Sequence, residues 1–182
     1  IAASGGAPTA QEPVPEFNAV RTAGLYIGQE LRAVGINCNL APVADINSNP
    51  ANPVIGTRSY GDDAERVAAD AAAFATGLQE SGVLAVAKHY PGHGDPSIDS
   101  HYGLPSVNKT LEELRSLELI PFNAVQNADI GAVMAAHIVF PQIDSTGLPA
   151  TLSQPVLTGV LRKGGFDGLI LTDSMRMGAI MQ

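Results

Sequence analysis

Several residues of this 182-residue chain have the types and spacing for chemistry. Asp99 and His101 are separated by one residue in the run KHYPGHGDPSIDSHYGLP, whose glycines and prolines prevent regular structure. A carboxylate beside an imidazole favours the charged ring and raises its pKa, which keeps a proton available near neutral pH for a leaving group. The plainer reading of that spacing alone is a solvated loop pair. Asp173 follows GLIL and Thr172, so its carboxylate is expected at the end of a buried strand. There it could serve as a nucleophile toward an electrophilic sugar carbon, as a metal ligand, or as a helix cap for the following SMRMGAI.

Lys88 and His89 are consecutive at the end of another apolar run, GVLAVA. Neighbouring side chains of a strand point in opposite directions, so both can face one ligand only across a bend or a strand exit. Arg58, in IGTRSYG, offers five fixed donors to hydroxyl or carbonyl oxygens, or a surface salt bridge. A metal reading of His89, His93, His101 and His137 is weak, because HYPGH is a loop sequence without helical HExxH spacing and no cysteine cluster assists it. No metal and no cofactor are expected.

The elements that would carry these groups alternate along the chain. Val20, Gly24, Ile27, Leu31 and Val34 recur at helical spacing from Phe17, with Gly35 as a stop. INCNLAPVAD reads as a short buried strand and is followed by a long loop rich in Asn, Pro and Gly. Val67, Ala71, Phe74 and Leu78 mark a second helix before the strand VLAVAKHY. Thr110 and Glu113 are spaced as a capping box, Pro121 reads as a kink, and GAVMAAHIVF as the next strand. Ser153 is a cap for a helix reaching Leu161, with Pro155 in its first turn, and DGLILTDSM is the fourth strand.

Continuous apolar strands alternating with helices indicate a buried parallel sheet and an α/β class. Asp45, Lys88 with His89, His137 and Asp173 each sit at a strand end, the pattern of the C-terminal rim of a (β/α)8 barrel. An open doubly wound sheet is the rival, but no Walker loop or dinucleotide glycine fingerprint follows any strand.

Composition narrows the partners. A formal charge of −8 argues against a phosphate-neutralising, nucleic-acid-binding face and directs attention to a neutral or cationic small ligand, or a sugar. Cys38 is the single cysteine, so no disulfide framework arises within these residues. No apolar run approaches the ~20 residues of a membrane helix, and IAASGGAPTAQEPVPEF lacks the charged start and apolar block of a signal peptide. Localisation and oligomeric state are not legible here.

Taken together, KHYPGHGDPSIDSHYGLP, INCNLAPVADINSNPANPVIGTRSYG, AVMAAHIVFP and ILTDSMRMGA resemble the family 3 glycoside hydrolases, in the β-N-acetylhexosaminidase branch that includes peptidoglycan-recycling N-acetylglucosaminidases. The resemblance runs from about Phe17 onward. It implies a TIM-type barrel and a retaining hydrolase of terminal β-linked N-acetylglucosamine, with a carbohydrate partner, peptidoglycan-derived material included. It implies Asp173 as nucleophile, His101 as general acid/base, Asp99 as the group that orients and charges the imidazole, and Arg58, Lys88 and His89 as ligands of sugar hydroxyls. His137 matches a family position and is given a supporting or pocket role. Phosphorolysis is an alternative, because a neutral imidazole does not repel an incoming anion. A family 3 β-glucosidase and a non-catalytic sugar-binding fragment are the others.

The family's early EGGxVxR-like motif and its strands after the nucleophile do not appear among these residues. The expectation is a partial N-terminal catalytic domain over 1–182, with 1–16 as loop or linker and the remainder resembling barrel strands three to six. By itself it is expected to be inactive.

Overall fold

Residues 16–52, 54–94 and 103–181 are described by the structure, a computed structural model. Four strands form one sheet in sequential order: β1 (Cys38–Asn39), β2 (Leu84–Tyr90), β3 (Ala132–Ala135) and β4 (Leu169–Thr172). Every pairing is parallel. Helices connect successive strands: α1 (Glu16–Ala33) precedes β1, α2 (Ala64–Glu80) leads to β2, and α3 (Leu111–Ser116) and α4 (Leu119–Asn127) lead to β3. A helix with π-type hydrogen bonding, Pro155–Arg162, precedes β4, and α5 (Gly178–Met181) follows it. This is the α/β architecture expected, with a four-stranded arc of a barrel.

Strand alternation separates two apolar faces. Ala85, Ala87 and Val133 join Leu78, Phe122, Val125 and Phe166 in the core between sheet and helices. Val86, Ala132 and Met134 form a smaller cluster on the opposite face, with Cys38, Leu84 and Leu171 against it. Lys88 continues the Val86 side and is in register with Met134.

The helices start and stop where local chemistry allows. Asp63 caps α2 by accepting the Arg66 N–H at 2.7 Å. Thr110 and Glu113 form the expected capping box of α3. The Ser153 hydroxyl accepts the Val156 N–H at 3.2 Å, and Pro155 stands in the first turn, where no N–H is required.

Four local expectations are corrected. The strand over INCNLAPVAD is two residues long, continued among the described residues by a single bridge from Val43 to Lys88, because Pro42 lacks the N–H a ladder needs. The break in the third helical segment falls at Leu117, with φ −141°, and not at Pro121, which sits harmlessly in the first turn of α4. Ile27 is 38% exposed instead of buried, since α1 meets α2 through Gly24 and Gly28. A Cβ on Gly24 would stand 2.4 Å from the Phe74 carbonyl oxygen, and one on Gly77 would stand 2.1 Å from that of Arg21. β4 is half-exposed, with Leu169 at 61%, as the outermost strand of the described sheet.

Candidate active site

At the C-terminal ends of β2 and β4 a cavity of about 290 Å³ gathers Arg58, Lys88, His89, His93, Asp173 and Met177. A larger cleft of about 500 Å³, around Asp129, Gly131 and Asp167, lies at the opposite ends of β3 and β4 and contains no histidine or lysine. Size does not decide between them; convergent titratable groups at the C-terminal rim do.

β2 delivers two consecutive side chains to this cavity. Its register against β3 shifts between Lys88 and Tyr90, so His89 is the extra residue and escapes the alternation that would turn it toward the helices. The peptide joining Lys88 and His89 is cis. Arg58 comes from a short 3-10 turn, Gly56–Arg58, in the long loop after β1, and its guanidinium reaches the Val54 carbonyl at 3.3 Å. Burial lowers the pKa of the half-buried Lys88 ammonium, the Arg58 charge lowers it further, and Asp173 and Asp45 oppose both.

Behind His89 lies Asp45, 1% exposed. Its Oδ2 is 2.7 Å from His89 Nδ1, both of its oxygens accept the His89 backbone N–H at 3.1 Å, and Oδ1 accepts the His93 backbone N–H at 2.7 Å. Burying a carboxylate costs several kcal/mol, and charge-assisted hydrogen bonds of about 1.5–3 kcal/mol each offset it. Here burial pushes the carboxyl pKa up, the His89 ring and these hydrogen bonds pull it down, and the outcome is a pKa below the usual 3.8. His93, also buried, is held below the usual 6.5, chiefly by desolvation and against the pull of Asp45.

Asp173 leaves β4 with its N–H donating to the Ala135 carbonyl at 3.2 Å. Oδ1 accepts the Ser174 N–H at 2.7 Å, and Oδ2 is 3.9 Å from His89 Nε2. Its side chain is 22% exposed, open to a ligand from the cavity.

The geometry and the chain's overall likeness to known proteins point the same way. Residues 7–182 match the model of the glycosyl hydrolase family 3 N-terminal domain. The chain belongs to glycoside hydrolase family 3. A beta-hexosaminidase from Methylococcus capsulatus is 41% identical over 160 residues, covering 87% of this chain and 47% of that protein. Among solved structures, a family 3 beta-N-acetylglucosaminidase from Paenibacillus sp. str. FPU-7 superposes with a TM-score of 0.89 at 49% identity, over 91% of this chain and 32% of that one. NagZ from Neisseria gonorrhoeae, solved with N-trifluoroacetyl-D-glucosamine, gives 0.81 at 38% identity, over 87% and 46%. The chain thus spans less than half the length of each.

In this family 3 chain, Arg58, Lys88, His89 and Asp173 share one cavity. Asp99 and His101 lie outside the described residues. His137 does not line the cavity: its Nε2 donates to the Ser174 carbonyl at 3.0 Å and its Nδ1 is 2.8 Å from the Thr151 hydroxyl, so it braces the segment after Asp173. His93, considered in the sequence as a weak metal ligand, lies in the wall. Asp45 had only its place at a strand end as a signal, and nothing in the sequence paired it with His89. No group of three or more metal-ligating side chains occurs among the described residues. No described helix is long and apolar enough to cross a membrane.

Proposed function

We propose that the protein containing this chain is a retaining exo-hydrolase of terminal β-linked N-acetylglucosamine. The reading rests on one observation above all: Asp173 shares a cavity of sugar size with Arg58, Lys88 and His89, in a chain similar to family 3 beta-N-acetylglucosaminidases. Asp173 attacks the anomeric carbon while His101 protonates the departing glycosidic oxygen, giving a covalent glycosyl-enzyme. Water, deprotonated by His101, then displaces Asp173 and releases the sugar. Asp99 charges and orients the His101 ring. Arg58, Lys88 and His89 hold the ring hydroxyls, with Lys88 ready to donate to oxygen.

The chain supplies four strands of the barrel in this reading, and N-acetylglucosaminides of peptidoglycan origin are among the candidate substrates. The test uses the full-length protein with a chromogenic β-N-acetylglucosaminide beside the matching β-glucoside. Faster turnover of the first is expected, with free N-acetylglucosamine as product. Release of sugar 1-phosphate on adding phosphate would replace hydrolysis by phosphorolysis, and preference for the glucoside would reassign the substrate. A slow 2-fluoro sugar should label Asp173 by mass spectrometry; a label elsewhere overturns the nucleophile.

A further inference from the structure

Asp45 does not itself line the cavity, yet it holds a side chain that does. Its carboxylate is an acceptor only when ionised. The 2.7 Å contact with His89 Nδ1 therefore requires the proton on that nitrogen, in the neutral ring as well as in the imidazolium. The opposite nitrogen, Nε2, faces Asp173 Oδ2 at 3.9 Å. Three backbone contacts tie the same carboxylate to the ends of the His89–His93 turn, and the His93 ring meets that of His89 edge to face at 5.7 Å.

We propose that Asp45 is a positioning residue of this site: it fixes the His89 proton on Nδ1, so that Nε2 of the neutral ring turns an acceptor, not a donor, toward Asp173 and the sugar. The proposal rests on the hydrolase reading for its effect on turnover, but not for the ring assignment. A proton moved to Nε2 would aim a donor at the attacking carboxylate and reduce its nucleophilicity. It would also change what His89 offers a sugar hydroxyl from an acceptor to a donor. A merely structural Asp45, anchoring the turn, predicts neither consequence.

Asp45→Asn separates the two roles. With its carbonyl in the place of Oδ1, asparagine keeps the His93 contact and one of the two His89 backbone contacts, while its amide in the place of Oδ2 donates to Nδ1 and drives the ring proton to Nε2. Ring-nitrogen NMR of the ligand-free, full-length protein should show protonated Nδ1 at His89, and in Asp45→Asn protonated Nε2. The variant should lose about 10- to 100-fold in kcat on the β-N-acetylglucosaminide, the range for removing the partner of a ligand-contacting imidazole, with KM changed far less. In a His89→Gln background the same substitution should add less than about twofold, since it acts through the ring. An unprotonated Nδ1 in the wild-type protein overturns the proposal even if Asp45→Asn fails to fold. Additive losses in the double variant, or unchanged kcat, overturn it too. A protonated Nδ1 in a protein that hydrolyses no N-acetylglucosaminide rejects the hydrolase reading and leaves the ring assignment standing.

Discussion

His89 Nε2 stands 3.9 Å from Asp173 Oδ2, joining the ends of β2 and β4 across the intervening β3. That separation is too long for a direct hydrogen bond and leaves both groups open to a ligand. Asp173 is thus the one carboxylate of the described cavity wall that is partly exposed, whereas Asp45 behind His89 is sealed.

Asp173→Asn should remove activity on the β-N-acetylglucosaminide by on the order of 10³-fold or more, as expected for loss of a nucleophile. The fold should be unaffected, because among the described residues the Asp173 side chain accepts only the adjacent Ser174 N–H, and asparagine can do the same. Steady-state kinetics with circular dichroism as the control would check it; residual turnover within tenfold of wild type would assign the attack to another group.

On the proposed reading, Lys88 trades stability for binding. Its ammonium is half-buried beside Arg58, and both burial and the like charge disfavour it. Lys88→Met is expected to raise the thermal midpoint while raising KM, because methionine fills the space beside Met134 and Met177 without the desolvation cost. Calorimetry and kinetics on one preparation decide the matter, and a lower midpoint would show that the Lys88 charge contributes stability.

The pH dependence of stability should carry the mark of His93. Its pKa is lower in the folded protein than the usual 6.5, with burial as the leading cause and the Asp45 and Asp173 carboxylates opposing it. Between those two values the unfolded chain binds more protons, so stability is full above pH 6.5 and falls as pH drops through the folded value. Asp45, also lowered, adds a second loss below pH 3.8. Urea unfolding of His93→Gln at pH 7.5 and 5.5 should show a smaller difference than the wild-type protein; an equal difference would exclude His93 as its source.

Gly77→Ala should be unusually costly for so small a change. The added Cβ would lie 2.1 Å from the Arg21 carbonyl oxygen and 2.7 Å from the Leu25 nitrogen, both rigid backbone atoms, so α1 must move off α2. Overpacking of this kind costs about 1–3 kcal/mol, more than alanine gains in helix propensity. Denaturant titration measures the loss. Gly159→Ala, where the Cβ would meet nothing within 4 Å, is the internal control and should be neutral or stabilising.

Much of this architecture was legible residue by residue. Helical spacing of Val67, Ala71, Phe74 and Leu78, the Thr110–Glu113 box, and continuous apolar runs ending in Lys88 and Asp173 are local patterns, and local backbone physics suffices to read them. The family resemblance likewise depends on contiguous motifs. The strand expected over residues 36–45 shrank to two residues because one proline removes a ladder donor, and the position of the helix break depended on Leu117, whose sequence carries no such signal.

What the sequence by itself determined is the order of elements and the identity of the polar groups at their ends, since both follow from neighbours a few positions apart. Tertiary structure alone decided that His89 and Lys88 face the same cavity, through a register shift against β3, and that Asp45 holds the His89 ring while His137 braces the Asp173 turn. Those relationships arise between strands, where packing sets the register and burial converts a distant carboxylate into an obligatory hydrogen-bond partner.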